Sequence, residues 1–267
     1  MLRYISFGSG SSGNCSCLFD EDGGLMIDAG VGVRRLKKAF SDYGLSIARV
    51  HSILITHDHA DHIQAVGRLS ERQCLPVYAS QLVHTGITEN RYARKKVPAA
   101  MRHDIEPGVS FKLGRFEVTP FRVPHDAHDN MGYLIGHDGV NFCLMTDVGH
   151  VTEEMGRMIA QADYLVIEAN HDEEMLRTGP YPQVLKARIT CGTGHLSNRL
   201  CGEALTRYLT PRTRHIWLCH LSQENNQPGI AESTVRQALC NKGFRVGEDL
   251  KLEVLPRTSV AGFYELA

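Results

Sequence analysis

The chain has 267 residues, 42% of them apolar, with 29 basic and 30 acidic side chains for a formal net charge of −1. This is enough for a large core in one domain spanning 1–267, with pseudo-halves meeting near 137/138, and the even charge excludes a binder driven by a globally basic surface. The eight cysteines form no C-x-x-C pair, no apolar run nears the ~20 residues of a membrane span, and the start lacks a charged-then-apolar leader, so a cytoplasmic protein with free thiols and no membrane partner is expected.

In chain order, Gly8-Ser9-Gly10-Ser11-Ser12-Gly13 formally matches G-x-G-x-x-G, but a dinucleotide fingerprint must open a helix. Here Cys15 to Phe19 reads as a strand, Asp22-Gly23-Gly24 as a hairpin turn, and Leu25 to Asp28 as a second strand. The loop therefore belongs to a β-meander, where its backbone N–H groups could cradle a phosphate or simply make a turn. Gly30 to Tyr43 reads as a basic amphipathic helix ending at Gly44, Val50 to Ile55 as a buried strand, Ile63 to Gln73 as a helix and Leu75 to Ala79 as a strand. Strands follow at Gly114–Val123, Met131–Gly136 and Val140–Met145, the last two joined by an Asp138-Gly139 turn. Thr152 caps a helix, Tyr164–Ala169 is a strand, 198–209 a helix, His215–Cys219 a strand and 232–241 a helix, before a β-rich tail. Meanders with interspersed helices predict two mixed sheets covered by outer helices.

The most informative segment is Thr56-His57-Asp58-His59-Ala60-Asp61-His62, which follows directly on the strand at 50–55. Two imidazoles at i, i+2 can converge on one cation, and the adjoining Asp61-His62 pair points at a second. Imidazole and carboxylate without thiolate suit zinc, manganese or iron(II). Later strand ends each carry a further candidate: His125 after Phe121–Pro124, Asp147 after Leu144–Thr146, and His220 after Trp217–Cys219.

H-x-H-x-D-H followed by a His, an Asp and a final His resembles the ligand pattern of the metallo-β-lactamase superfamily over essentially the whole chain. The resemblance implies an αββα sandwich of two mixed sheets, class α/β (α+β), with two divalent metal ions. His57, His59 and His125 would hold one ion, Asp61, His62 and His220 the other, and Asp147 would bridge them at an expected separation of ~3.5–4 Å. The motifs G-S-G-S-S-G-N, V-P-H-D-A, T-D-V-G, E-A-N-H-D, G-H-L-S-N and H-L-S-Q-E-N-N further resemble the YycJ/WalJ nuclease branch. That branch implies 5′→3′ exonuclease activity on double-stranded DNA.

G-H-L-S-N also resembles a tRNase Z-type segment in which a His protonates the leaving group and pairs with a Glu; the matching residues are His195 and Glu168. E-A-N-H-D places His171 near Glu168 as well, so either imidazole could be the one that Glu168 orients. The implied chemistry is a hydroxide generated between two cations, oriented by Asp61, with His195 as general acid. Ser9, Ser11, Asn14, Asn130, Ser197, Asn198, Ser222 and Asn225 are candidate substrate contacts, with steadying of nearby ligands as the alternative for several. The basic runs Arg34-Arg35-Lys37-Lys38 and Arg91-Tyr92-Ala93-Arg94-Lys95-Lys96 read alone as solvated faces, although Tyr92 offers a base-stacking surface. DNA is the expected partner, with RNA the alternative, and a thioester or lactone hydrolase is the competing enzyme class.

Overall fold

The computed structural model describes residues 1–267. The chain divides into two compact units: Met1–Pro120 with Ala127–Met131 and Pro256–Ala267, and Phe121–Asp126 with Gly132–Leu255.

The first unit begins as the predicted meander. Strands β1 (Leu2–Gly8), β2 (Cys15–Phe19) and β3 (Gly24–Ile27) pair antiparallel in sequence. Helix α1 (Val33–Asp42) then carries the chain to β4 (Val50–Leu54), which is parallel to β3. The expected single helix over 63–73 is two, α2 (Ala60–Ile63) and α3 (Val66–Gln73), because the backbone is redirected at Gln64-Ala65, where Ala65 N–H donates to Ala29 O. Parallel strand β5 (Val77–Ala79), helix α4 (Gln81–Glu89) and parallel strand β6 (Arg102–Asp104) follow.

Strands β7 (Phe111–Leu113) and β8 (Phe116–Arg122) form a hairpin. Strands β9 (Met131–His137) and β10 (Val140–Met145) form another, and both turn residues, Asp138 and Gly139, have positive φ as a tight hairpin turn requires. Three βαβ passages then use α5 (Glu153–Gln161), β11 (Tyr164–Glu168), α6 (Glu173–Thr178), α7 (Gln183–Thr190), α8 (Asn198–Tyr208), β12 (His215–Cys219), α9 (Pro228–Asn241) and β13 (Lys251–Val254). Final strand β14 (Ala261–Leu266) returns to pair antiparallel with β1.

The two seven-stranded sheets have orders β14-β1-β2-β3-β4-β5-β6 and β13-β12-β11-β10-β9-β8-β7. Both are mixed, and strands such as β2, β3, β11 and β12 are buried at every position. Each unit has its own apolar core. In the first, Leu36 and Phe40 of α1, Val66 and Leu69 of α3 and Val83 and Ile87 of α4 cover one sheet face. In the second, Met155 and Ile159, Cys201 and Leu205, and Val235 and Leu239 do the same from α5, α8 and α9. All eight cysteines are free, and no helix is long and apolar enough to cross a membrane.

Candidate metal centre

The chemistry-bearing residues collect at the carboxyl ends of strands, where an α/β sheet leaves loops free to converge. In the first unit, β4 runs through Ile55 into Thr56–His62. His57 and His62 are fully buried, and the His57 ring centroid lies 4.6 Å from that of His59 and 4.1 Å from that of His62. Asp61 Oδ2 is 3.6 Å from His62 Nε2.

The ring orientations are set by Asp28, just past β3. Its carboxylate accepts His62 Nδ1–H at 2.7 Å, the Thr56 amide at 2.8 Å and the Thr56 hydroxyl at 3.0 Å. The Thr56 hydroxyl oxygen in turn lies 3.0 Å from His57 Nδ1. Asp28 thus holds His62 directly and His57 through Thr56 with Nδ1 protonated, which makes Nε2 the lone-pair atom on each ring; that of His62 faces Asn14 Nδ2 at 2.8 Å. The glycine-rich loop grips the same segment: Asn14 N–H donates to Asp61 O at 2.7 Å, and Asn14 Nδ2 donates to Asp61 Oδ2 at 3.1 Å. A Cβ on Gly30 would stand 1.5 Å from Asp61 O, so only glycine permits this approach.

In the second unit, Glu168 ends β11 with no solvent exposure and accepts four bonds. Oε1 takes His195 Nδ1–H and His220 Nδ1–H, each at 2.9 Å. Oε2 takes the amides of Val148 at 2.7 Å and Leu196 at 3.1 Å. Burial pushes this carboxyl up, but the facing His195 and the bonds from both imidazoles outweigh it and bring its pKa to about 2. For His195, burial pulls down, but the charge and hydrogen bond of Glu168 and the charge of Asp147 together outweigh it, and the net shift is upward.

His125, after β8, donates Nδ1–H to Gly194 O at 3.1 Å and places Nε2 3.7 Å from Asp147 Oδ1. Asp147 Oδ1 is 3.4 Å from His220 Nδ1. The ligand atoms of Asp147, Glu168, His195 and His220 all lie within 4.8 Å of one another. Asp147 and His220 adopt left-handed backbone, with φ of 55° and 54°, as Asp28 does at 59°. Such conformations are uncommon outside glycine and cluster at functional sites. Asn170 Nδ2 donates to His220 O at 2.8 Å and pins that turn.

The carboxylate that could have served His171 serves His195 and His220 instead. His171 lies in an isolated bridge with Ser197, and its carbonyl accepts from Asn198 N–H at 2.9 Å. The cap of α8 is Ser197, whose hydroxyl accepts from Leu200 N–H at 3.2 Å and donates to Glu173 at 2.9 Å. Asn198 and Asn226 exchange reciprocal amide bonds at 3.0 and 2.9 Å, and Asn226 also donates to Ala169 O and Asn170 O. Ser197 and Asn198 are therefore buried framework at the start of α8. Ser9, Asn14, Asn130 and Asn225 are buried too, whereas Ser11 is exposed and Ser222 partly so.

Sequence reasoning passed over Asp28, Thr56 and Asn170. For Asp28 a signal existed: a carboxylate immediately after an apolar strand, the position that His220 occupies. The donor set suits a hard or borderline divalent cation. It offers imidazoles with fixed tautomers and carboxylates, and Cys143 and Cys219, the thiols of β10 and β12, are buried and pushed up in pKa.

Residues 25–221 match the model of the Beta-lactamase superfamily domain. The chain is 35% identical to Exodeoxyribonuclease YycJ of Bacillus anthracis, over 94% of each chain. It is 36% identical to Exodeoxyribonuclease WalJ of Streptococcus pneumoniae serotype 2, over 94% of this chain and 93% of the relative. Among solved structures, zinc-bound PqqB from Methylobacterium extorquens superposes with a TM-score of 0.71 at 17% identity, covering 97% of this chain and 99% of that one. Two mixed sheets with their helices match the α/β class and the metallo-β-lactamase fold expected from the motifs. The chain belongs to the metallo-β-lactamase superfamily, on its YycJ/WalJ branch, and is a metal-dependent hydrolase.

Proposed function

We propose that this chain is a phosphodiesterase that degrades double-stranded DNA 5′→3′ from a free 5′ end. The observation that carries the reading is Glu168 holding His195 and His220 by their Nδ1 atoms at 2.9 Å, which sets a partly exposed imidazole beside a candidate metal ligand. The exodeoxyribonuclease relatives support the substrate class. His57, His59 and His125 are proposed for one cation, Asp61, His62 and His220 for a second, and Asp147 for both. Zinc and manganese suit these donors best, and iron is also compatible. When bound, divalent cations supply positive charge that lowers the pKa of a nearby water and offsets the charge that builds on a phosphodiester.

The chain's own groups complete the reaction. Asp61, steadied by Asn14, accepts a hydrogen bond from the attacking water. His195 donates its Nε2 proton to the departing 3′ oxygen, while Glu168 fixes the ring and its tautomer. Ser11 and Ser222, the two candidate contacts that keep exposure, are proposed to touch the strand; Asn14, Asn130 and Asn225 steady the loops beneath them.

The test uses metal-reconstituted protein on 5′-phosphorylated duplex DNA, the same duplex closed by hairpins, and RNA. Digestion confined to the open duplex is expected. The His195→Ala variant should keep its metals and lose about 10²–10⁴-fold in rate. Equal cutting of the hairpin-closed substrate or of RNA refutes end-directed DNA cleavage, and full turnover by the variant refutes the acid.

A further inference from the structure

The two basic runs that read as separate solvated faces line one cavity. It lies wholly within the first unit, has a volume of about 840 Å³, and draws Arg34, Arg35 and Lys38 from α1, Arg68 from α3, and Tyr92 and Arg94 from the loop after α4. No acidic side chain lines it. Lys38 pairs with Asp42 at 2.6 Å and Arg35 donates to Thr258 O, whereas Arg34, Arg68 and Arg94 make no ion pair. In a chain of net charge −1, this is a concentrated local positive field.

Two further features give the cavity its sense. Helices α1 and α3 both open onto it, and neither has a side-chain cap or an acid in its first turn, so their amide dipoles add to the same field. Tyr92 is 56% exposed, with the Arg91 guanidinium 5.2 Å from its ring centroid. Cations that follow a backbone, together with an exposed ring, form the usual recognition surface for an unpaired nucleic acid strand, because a base stacked within a duplex cannot offer its face to an aromatic side chain. The cavity also adjoins the ligand loop, since its lining residues Gln64 and Ala65 come just after His62.

We infer that this cavity binds a short single-stranded DNA segment, through phosphate contacts to Arg34, Arg68 and Arg94 and base stacking on Tyr92. It holds the strand separated from its partner at the duplex end. The choice of DNA rests on the function proposed above; the unpaired strand rests on the cavity. An enzyme that starts at a duplex end must part the terminal pairs before a single strand can reach its metals, and an adjacent single-strand site stabilises that frayed state.

Binding is read by fluorescence anisotropy of the metal-loaded protein, with cleavage-resistant phosphorothioate probes: single-stranded DNA, blunt duplex DNA and single-stranded RNA. The single DNA strand should bind tightest. The Arg34→Ala/Arg68→Ala/Arg94→Ala variant should lower the slope of log affinity against log salt by about 2, at ~0.7 per single-strand phosphate contact. Tyr92→Ala should lose about tenfold or more for the single strand and little for the blunt duplex, and Tyr92→Trp should restore it. Wild-type affinity and salt slope in the triple variant, or tighter binding of blunt duplex, overturns the inference, and tighter binding of RNA overturns the choice of DNA. Hydrolysis of bis(p-nitrophenyl) phosphate separates the two proposals. All these variants should match the wild type on that small diester. If the wild type itself fails to cut any phosphodiester while the anisotropy losses stand, the cleavage reading falls and the strand site survives.

Discussion

Asp28 has left-handed backbone, φ 59°, and a carboxylate that accepts from His62, from the Thr56 amide and from the Thr56 hydroxyl. Those two properties can be separated by substitution. Asparagine tolerates the left-handed region about as well as aspartate, but it offers one acceptor oxygen where two are used. Asp28→Asn should therefore keep the backbone turn, yet turn an amide N–H toward a donor and release either His62 or Thr56, at about 1–3 kcal/mol in the metal-free protein. Metal affinity should fall about 10–100-fold, the usual effect of losing the group that orients a ligating imidazole. Competition with a chromophoric chelator measures this, and unchanged affinity would remove Asp28 from the site. Asp28→Ala adds a backbone penalty of about 1 kcal/mol in chelator-treated protein, visible as a lower urea midpoint.

At the scale of elements, the ligands follow from where strands stop. Val50–Leu54, His215–Cys219 and Val140–Met145 are short, largely apolar runs soon followed by polar residues, and both the strands and the candidates after them were legible from hydrophobic pattern alone. What pattern could not supply was pairing. Asp28 sits 34 positions before the imidazole it orients, and only the parallel register of Ile27 with Leu54 brings the two strand ends together. The same holds for Glu168, for which the motifs offer His195 or His171: the β11–β12 register places Glu168 opposite Cys219, next to His220, a second partner that no motif suggests. The break between α2 and α3 was missed because apolar spacing continues through it; tertiary bonding to Ala29 overrides helix propensity there.

The Gly30 approach tests how tightly these loops are coupled. Its amide donates to Asn14 O at 2.8 Å, and Asn14 N–H donates to Asp61 O at 2.7 Å. Gly30→Ala puts a methyl where Asp61 O stands, so the loop must shift by more than an ångström or the fold must yield. The expected loss is about 1–3 kcal/mol in metal-free protein, the range for overpacking, together with weakened metal binding. A crystal structure or amide exchange confined to residues 56–63 would locate the shift, and wild-type stability with wild-type metal affinity would show that the loop is not rigidly held.

For the whole molecule, the decisive property is whether one pair of cations draws ligands from both compact units. The proposed set takes His57, His59, Asp61 and His62 from the first unit and His125, Asp147 and His220 from the second. The sole tryptophan, Trp217, lies fully buried in the second unit and reports on that unit's unfolding by fluorescence. At a free-metal concentration 100 times the dissociation constant, each site adds about 2.7 kcal/mol to stability. At about 2–4 °C per kcal/mol for a chain of roughly this size, the Trp217 transition should rise by about 5–10 °C per bound ion. His59→Ala/Asp61→Ala changes only the first unit, at two partly exposed positions that cost little packing. If the ions are shared, that variant abolishes most of the metal-induced rise seen at Trp217, and its bound metal, counted by elemental analysis, drops from two ions per chain. An undiminished rise would mean that the second unit binds metal with Asp147, Glu168, His195 and His220 alone, which is the alternative their mutual proximity allows.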